Sequence, residues 1–322
     1  MFKKINPDVF HSSFKGNEFF EGWYFKIVSK DRKIVLAIIP GISRAEKEED
    51  SHSFIQLLSG VKTEYSYIKY DLKEFTYTKN KFDICVDKNL FSLKGININI
   101  NNRNKIIKGK LTFNEIKKWP DSVLNPGSMG FYNHLNFMEC YSQVCALDGK
   151  IEGNLAVDGE EYNFNGGNVY IEKNWGRAFP ESWIWIQTNS FKQRNAAFTC
   201  STGKVPFFAG SFKGFLVALL IDNKFYKFTT INRSKMKIEL LGNDMKLSFK
   251  RKNLLLTVIT KTEKEKFMLC YGPKDGKMIP LVKESLCGEV KIELINEKKQ
   301  ELIFRDTGYC SGIEYGGEYS HH

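Results

Sequence analysis

Tyr170–Asn189, Y-I-E-K-N-W-G-R-A-F-P-E-S-W-I-W-I-Q-T-N, sets three of the chain's five tryptophans (Trp175, Trp183, Trp185) beside Glu172, Lys173, Asn174, Arg177, Glu181, Gln187 and Asn189. An indole is a large apolar wall with one polar handle. Interleaved with carboxylates and amides, such walls suit a cavity that takes an apolar molecule. The alternative is a half-buried strand whose indoles fill an ordinary core. Alternation puts Trp183, Trp185 and Gln187 on one strand face.

Other chemistries find little support. His11, His52 and His134 lack metal-ligand spacing, and His321 and His322 are terminal, like the remnant of a tag; no metal site is expected. His134 precedes Phe137–Tyr141 and belongs either to the same pocket or to a surface loop. Gly203, Gly210 and Gly214 form no phosphate loop, and there is no Gly-x-Ser-x-Gly elbow. Seven scattered cysteines without a CxxC pair point to free thiols in a reducing compartment, the cytoplasm.

The elements that must hold these residues read as strands. Period-two alternation recurs at Trp23–Val28, Tyr65–Leu72, Lys108–Phe113, Phe137–Leu147, Tyr162–Phe164, Trp183–Asn189, Phe225–Thr230, Leu254–Thr260, Lys266–Tyr271 and Val290–Ile295. Asp148-Gly149, Asp158-Gly159, Asp222-Asn223 and Asp275-Gly276 are hairpin-turn signals. Lys117–Asn125 is expected to hold a short turn of helix before Pro126. Glu181-Ser182-Trp183-Ile184-Trp185 echoes Glu21-Gly22-Trp23-Tyr24-Phe25 about 160 residues earlier. Later phrases follow in the same order: Ser53-Phe54 and Ser211-Phe212, then Ile171-Glu172 and Ile313-Glu314. An all-β chain of two duplicated antiparallel barrels is therefore expected, 1–172 and 173–322, each able to hold a small ligand and together forming a cleft.

Hydrophobic residues make up 42% and aromatics 14% of 322 residues, enough for a sizeable core. The longest apolar runs, Ile34–Ile39 and Phe215–Ile221, fall far short of the ~20 residues of a membrane helix, and Met1–Asp8 has no apolar signal-peptide region. The net charge of +11 is spread over many turns. It reads as a solubilising surface and not a nucleic-acid stripe, and it leaves open a peripheral attachment to an anionic membrane.

Phe20-Glu21-Gly22-Trp23-Tyr24-Phe25, Phe137-Met138-Glu139-Cys140-Tyr141, Tyr170–Gly176, Phe179-Pro180, Trp183–Gln187 and the closing Ser311-Gly312-Ile313-Glu314 resemble the tocopherol cyclase family over most of the chain. The resemblance implies lipocalin-like barrels, related to carotenoid hydratases and barrel-type cyclases, and a hydrophobic, often isoprenoid, ligand. The plant enzymes close a chromanol ring by protonating a prenyl double bond while the phenol oxygen attacks. One departure stands out: Asn174 occupies the place where Glu-Lys-Asp-Trp-Gly is expected. An amide cannot supply that proton. Glu172, Glu139 or Glu21 could, if burial kept the carboxyl neutral. The other reading makes Glu172 and Lys173 a structural pair and Glu21 the holder of a strand end. The candidate wall is Trp23, Tyr24, Tyr141, Trp175, Trp183 and Trp185, with Gln187 and Asn189 orienting a polar head and aromatic faces stabilising a cation. Two functions stay open: a cofactor-free cyclase, hydratase or isomerase, and a carrier or sensor that has lost the acid. The Lys-, Asn- and Ile-rich composition points to a bacterium with an AT-rich genome.

Overall fold

The computed structural model describes residues 6–11, 18–103, 105–135, 138–207 and 210–319; Phe137, His321 and His322 lie outside these. The protein is nearly all β, with 65% of its described residues in strands. Among the described residues helical structure is limited to short 3-10 turns, and no helix is long and apolar enough to cross a membrane. Alternation is the reason. In Gly95–Asn101, Gly-Ile-Asn-Ile-Asn-Ile-Asn, the three isoleucines are buried and the asparagines between them exposed.

The strands form two curled antiparallel sheets. In the first, β1 (Phe19–Val28) lies between β2 (Val35–Arg44) and β13 (Gly167–Gly176). Beyond β2 come β3 (His52–Ser59) and β4 (Glu64–Tyr70). Beyond β13 come β11 (Asp148–Val157), β9 (Ile106–Lys117), β8 (Gly95–Asn101), β7 (Asn89–Ser92), β6 (Asp83–Val86) and β5 (Phe75–Tyr77). β10 (Cys140–Ala146) also pairs with β13, and β12 (Glu160–Asn163) with β11. In the second sheet β14 (Trp183–Thr188) lies between β15 (Ala196–Phe207) and β23 (Glu301–Gly316). β16 (Gly210–Ile221) and β17 (Lys224–Thr229) follow on one side; β22 (Lys277–Asn296), β20 (Leu254–Lys261), β19 (Asp244–Arg251) and β18 (Lys235–Leu241) follow on the other, with β21 (Met268–Lys274) paired to β22. Both sheets thus run fourth, third, second, first, last, which is the order a duplication leaves.

The chain divides into two compact units. Unit 1 comprises Met1–Phe179 and the hairpin Cys270–Leu281; unit 2 comprises Pro180–Leu269 and Val282–His322. The core of unit 1 is an aromatic series in which Trp23 packs on Phe10, Phe75 and Phe82, and Phe25 on Phe82, Phe91 and Phe113. The core of unit 2 is more aliphatic, with Ile184, Ile186, Val217, Leu219, Leu247, Ile292 and Ile313 around Phe198 and Phe249.

Asp158-Gly159, Asp222-Asn223 and Asp275-Gly276 all have positive φ at both positions and join β11 to β12, β16 to β17 and β21 to β22. Asp148-Gly149 is not a turn. It opens β11, which continues from β10 along β13 with a register break, and Gly149 is needed because a Cβ there would meet Ile116 Cδ1 at 2.6 Å. Nor is Lys117–Asn125 helical: Lys117 ends β9, and the segment after it, bracketed by Pro120 and Pro126, runs irregularly to the 3-10 turn Gly130–His134. All seven cysteines are free thiols.

Candidate functional site

Glu172 and Lys173 are neighbours on β13, so their side chains leave opposite faces of the sheet. They are not a pair. Lys173 enters the core of unit 1, where its Nζ meets Glu21 Oε1 at 2.5 Å, both side chains being fully buried. The ammonium sits 5.1 Å from the Trp23 ring centre and 4.6 Å from that of Trp175. Burial pulls the Lys173 pKa down, against the opposing pull of Glu21. Tyr141, directly across from Trp175, stacks on it at 5.2 Å. Glu21, Trp23, Tyr141 and Trp175 therefore share the inner face, and the N-terminal segment Asn6–His11 covers it. Lys173 donates to the carbonyls of Pro7 (3.0 Å) and Val9, the Trp23 indole donates to Asp8 O (3.2 Å), and the His11 ring stacks on Trp175 at 4.3 Å.

Glu172 faces the other way and is only 3% exposed. Its Oε1 accepts from Ser142 Oγ (2.9 Å) and Asn174 Nδ2 (3.4 Å), and its Oε2 from Tyr170 OH (2.5 Å). Register places Tyr24 directly opposite Glu172 and the fully buried Lys26 opposite Tyr170. Opposed residues of an antiparallel pair have Cβ atoms about 5 Å apart, so Tyr24, Lys26, Ser142, Tyr170, Glu172 and Asn174 form one patch. A hydroxyl can donate to a carboxylate or accept from a carboxyl, and an amide can turn over to do the same. The patch can thus hold Glu172 with or without its proton. Burial, then Glu172, push the nearby Cys140 thiol pKa up. Farther along the same face, Phe54 stacks on Tyr67 (5.3 Å) and Tyr67 on Tyr271 of the hairpin (4.6 Å).

In unit 2, Ile184 and Ile186 enter the core while Trp183, Trp185, Gln187 and Asn189, all buried, take the opposite face. Trp183 Nε1 donates to Glu314 Oε2 at 3.0 Å, and Glu284, 2% exposed, stands opposite Glu314. The Trp23–Trp183 echo thus finds the equivalent strand but not the equivalent face. Against the last strand of each sheet, Glu172 lies opposite Tyr24 and Glu314 opposite Trp185. Tyr24 and Trp185 are the true counterparts, and a shift of one residue exchanges the faces of a strand.

The structure therefore brings Glu172, Asn174 and Tyr24 together, and groups Glu21 with Trp23, Tyr141 and Trp175 on the inner face. Glu139 is exposed, its carbonyl accepting from Arg177 N at 2.8 Å. His134 is half-buried, 6.2 Å from the Phe131 ring. Sequence reasoning missed Ser142, Tyr170, Lys26 and Glu284. Tyr170 carried a legible signal, since period two puts it on the face of Glu172. A cavity of about 20 Å³ among Ile38, Leu57, Leu155 and Val157 has room for little more than a water molecule. Among the described residues no group of three or more His, Cys, Asp or Glu could hold a metal ion.

A family model described as tocopherol cyclase-like matches residues 91–317. The chloroplastic tocopherol cyclase of Zea mays is 26% identical over 189 residues, which is 56% of this chain and 40% of that protein. The chain thus spans less than half the length of the curated relative it matches. Among solved structures, CghA superposes with a TM-score of 0.61 at 10% identity, covering 95% of this chain and 90% of CghA. Kievitone hydratase from Nectria haematococca does so with a TM-score of 0.52 at 12% identity, covering 98% and 95%. At such identities the solved structures speak for the fold, while the sequence match fixes the lineage: this chain belongs to the tocopherol cyclase-like family.

Proposed function

We propose that the protein is a tocopherol cyclase-like enzyme that binds a hydrophobic, prenylated or isoprenoid small molecule and protonates one of its double bonds without a cofactor. The observation that carries this reading is the Glu172 carboxyl, buried and held by Ser142, Tyr170 and Asn174 opposite an aromatic side chain. The carboxyl gives its proton to one alkene carbon and the π pair forms the new C–H bond. The cation left on the other carbon is stabilised by an aromatic face. A phenol oxygen of the substrate, a water molecule or the loss of a neighbouring C–H proton then quenches it, giving cyclisation, hydration or isomerisation. In each case the released proton returns to Glu172. A lipid-like substrate would bring a cytoplasmic protein of net charge +11 to an anionic membrane surface.

A second reading has its own observation. Asn174 stands where the motif is expected to carry Asp, and three donors around Glu172 favour its charged form over its acidic one. On that reading the protein is a carrier or sensor. The deciding experiment incubates the protein with prenyl quinols and terpenoids in heavy water. The enzyme reading expects deuterium in the product, and Glu172→Gln should lower its incorporation about 10²–10⁴-fold while tryptophan quenching shows binding retained. Binding without deuterium uptake by the wild type establishes the carrier. Uptake that Glu172→Gln leaves unchanged removes Glu172 from the chemistry.

A further inference from the structure

The charged cluster inside unit 1 takes no part in that chemistry, and it is tied to one short segment. Four acceptors surround Lys173 Nζ: Glu21 Oε1 at 2.5 Å, Pro7 O at 3.0 Å, Val9 O, and His11 Nδ1 at 2.9 Å. Three of the four belong to Asn6–His11. The same segment places the Phe10 ring 5.0 Å from Phe75 and 4.6 Å from Tyr77. The His11 backbone N–H donates to Glu21 Oε2 at 3.0 Å. Asp8 pairs with Lys118 and accepts from Gln143 Nε2 at 2.9 Å. Gly127 leaves the space for Pro7, since a Cβ there would meet Pro7 Cγ at 2.6 Å and Gln143 Oε1 at 2.2 Å.

His11 Nδ1 lies 2.9 Å from Lys173 Nζ and 3.1 Å from Glu21 Oε1. An ammonium can only donate, so beside charged Lys173 the Nδ1 presents its lone pair, the ring is neutral, and Glu21 Oε1 accepts from Lys173 instead. The ring meets Glu21 on β1 and Lys173 on β13. Asp8 on the segment itself, Lys118 beyond β9 and Cys145 at the bulge of β10 complete the titratable and charged surroundings. With neutral His11, the two carboxylates balance the two ammonium groups. A proton on Nδ1 would set two positive donors 2.9 Å apart in a buried site and leave the cluster with unbalanced charge.

We propose that Asn6–His11 is a releasable strap, locked across the inner face of unit 1 by Lys173 and freed when His11 takes up a proton, uncovering Trp23, Lys173 and Trp175. Burial, and then Lys173, hold the docked ring below its ordinary value of 6.5, against the opposing effect of Glu21. The docked form therefore excludes a proton that the released form accepts. Docking is at full strength above pH 6.5 and weakens as the pH falls, by up to tenfold per unit, until the docked ring itself titrates.

Amide hydrogen exchange on the full chain between pH 8 and 5, corrected for intrinsic rates, tests this. Protection of the His11 amide should fall by up to tenfold per pH unit below 6.5 while the amides of β15 keep theirs. His11→Gln should hold it flat, because the amide accepts from Lys173, donates to Glu21 and does not titrate. Flat protection in the wild type, a parallel fall in His11→Gln, or loss of β15 protection together with the strap would each overturn the switch. Should His11→Gln leave the strap undocked at every pH, NMR titration of the wild-type imidazole decides. A midpoint at the low-pH end of the fall in protection sustains the switch, and one at or above 6.5 refutes it.

Discussion

Replacing Lys173 by Met is the sharpest test of how the first unit is held together. Met keeps most of the apolar stem beside Trp23 and Trp175 and deletes only the ammonium. Four polar groups then lose their buried donor: Glu21 Oε1, Pro7 O, Val9 O and His11 Nδ1. Glu21, fully buried, would keep the backbone N–H of His11. Removing one partner of a buried ion pair costs about 3–5 kcal/mol, since the other charge stays behind without compensation. Unit 1 has about 190 residues, and in a body of that size each kcal/mol moves the midpoint by roughly 2–4 °C. Lys173→Met should therefore lower the unit 1 transition by roughly 6–20 °C in scanning calorimetry at pH 7.5, where His11 is neutral. The double variant Glu21→Gln/Lys173→Met removes the stranded charge and should recover at least half of the loss. A single variant within about 1 kcal/mol of the wild type, or a double variant no more stable than the single, would refute the reasoning.

Two further outcomes follow from the geometry. Asn174→Asp sets a second carboxyl at the place of an amide 3.4 Å from Glu172. The pair should then retain a proton in the folded state with a raised apparent pKa. Stability relative to wild type should be unchanged below the unfolded value near 4 and fall as the pH rises toward the folded value, by about 1.4 kcal/mol for each pH unit separating the two; urea unfolding at pH 5 and 8 measures it. Gly316→Ala puts a Cβ 2.3 Å from the Trp183 ring, so the indole must move off Glu314 at a cost of about 1–3 kcal/mol, visible in thermal unfolding and as a change in tryptophan emission.

Much of this fold was legible because strand sequences carry their period openly. Alternation found the strands, three of four turn dipeptides declared themselves through Asp, Asn and Gly, and the ordered echo found β1 and β14 as equivalent first strands. The echo misaligned the faces because Trp, Tyr, Phe and Ile are interchangeable by composition, and only pairing with Glu172 and Glu314 fixes the register. The patch around Glu172 was half legible: the carboxylate and Asn174 stood in a dense motif, but Ser142 joins them through a cross-strand pairing that sequence does not display. The strap was not legible at all. Asn6–His11 has no strand period, and its partner Lys173 lies more than 160 residues away. The alternative of a Glu172–Lys173 pair failed for a simple reason: adjacent strand residues part company across the sheet.

The hairpin Cys270–Leu281 gives the fold an order of assembly. A ribosome finishes β13, the last strand of the first sheet, when residue 176 is made. Tyr271, which stacks on Tyr67 and whose amide binds the Tyr65 hydroxyl at 2.8 Å, emerges about 95 residues later. At ~5–20 residues per second that is a wait of roughly 5–20 s, during which Tyr65 and Tyr67 lack their covering strand. Unit 1 is therefore first in sequence but cannot be completed until Leu281 is made, when Pro180–Leu269 of unit 2 has already emerged. A chain cut after Phe179 would carry a complete β1–β13 sheet with a permanently unsealed aromatic face, and the nascent protein passes through that state on every round of synthesis.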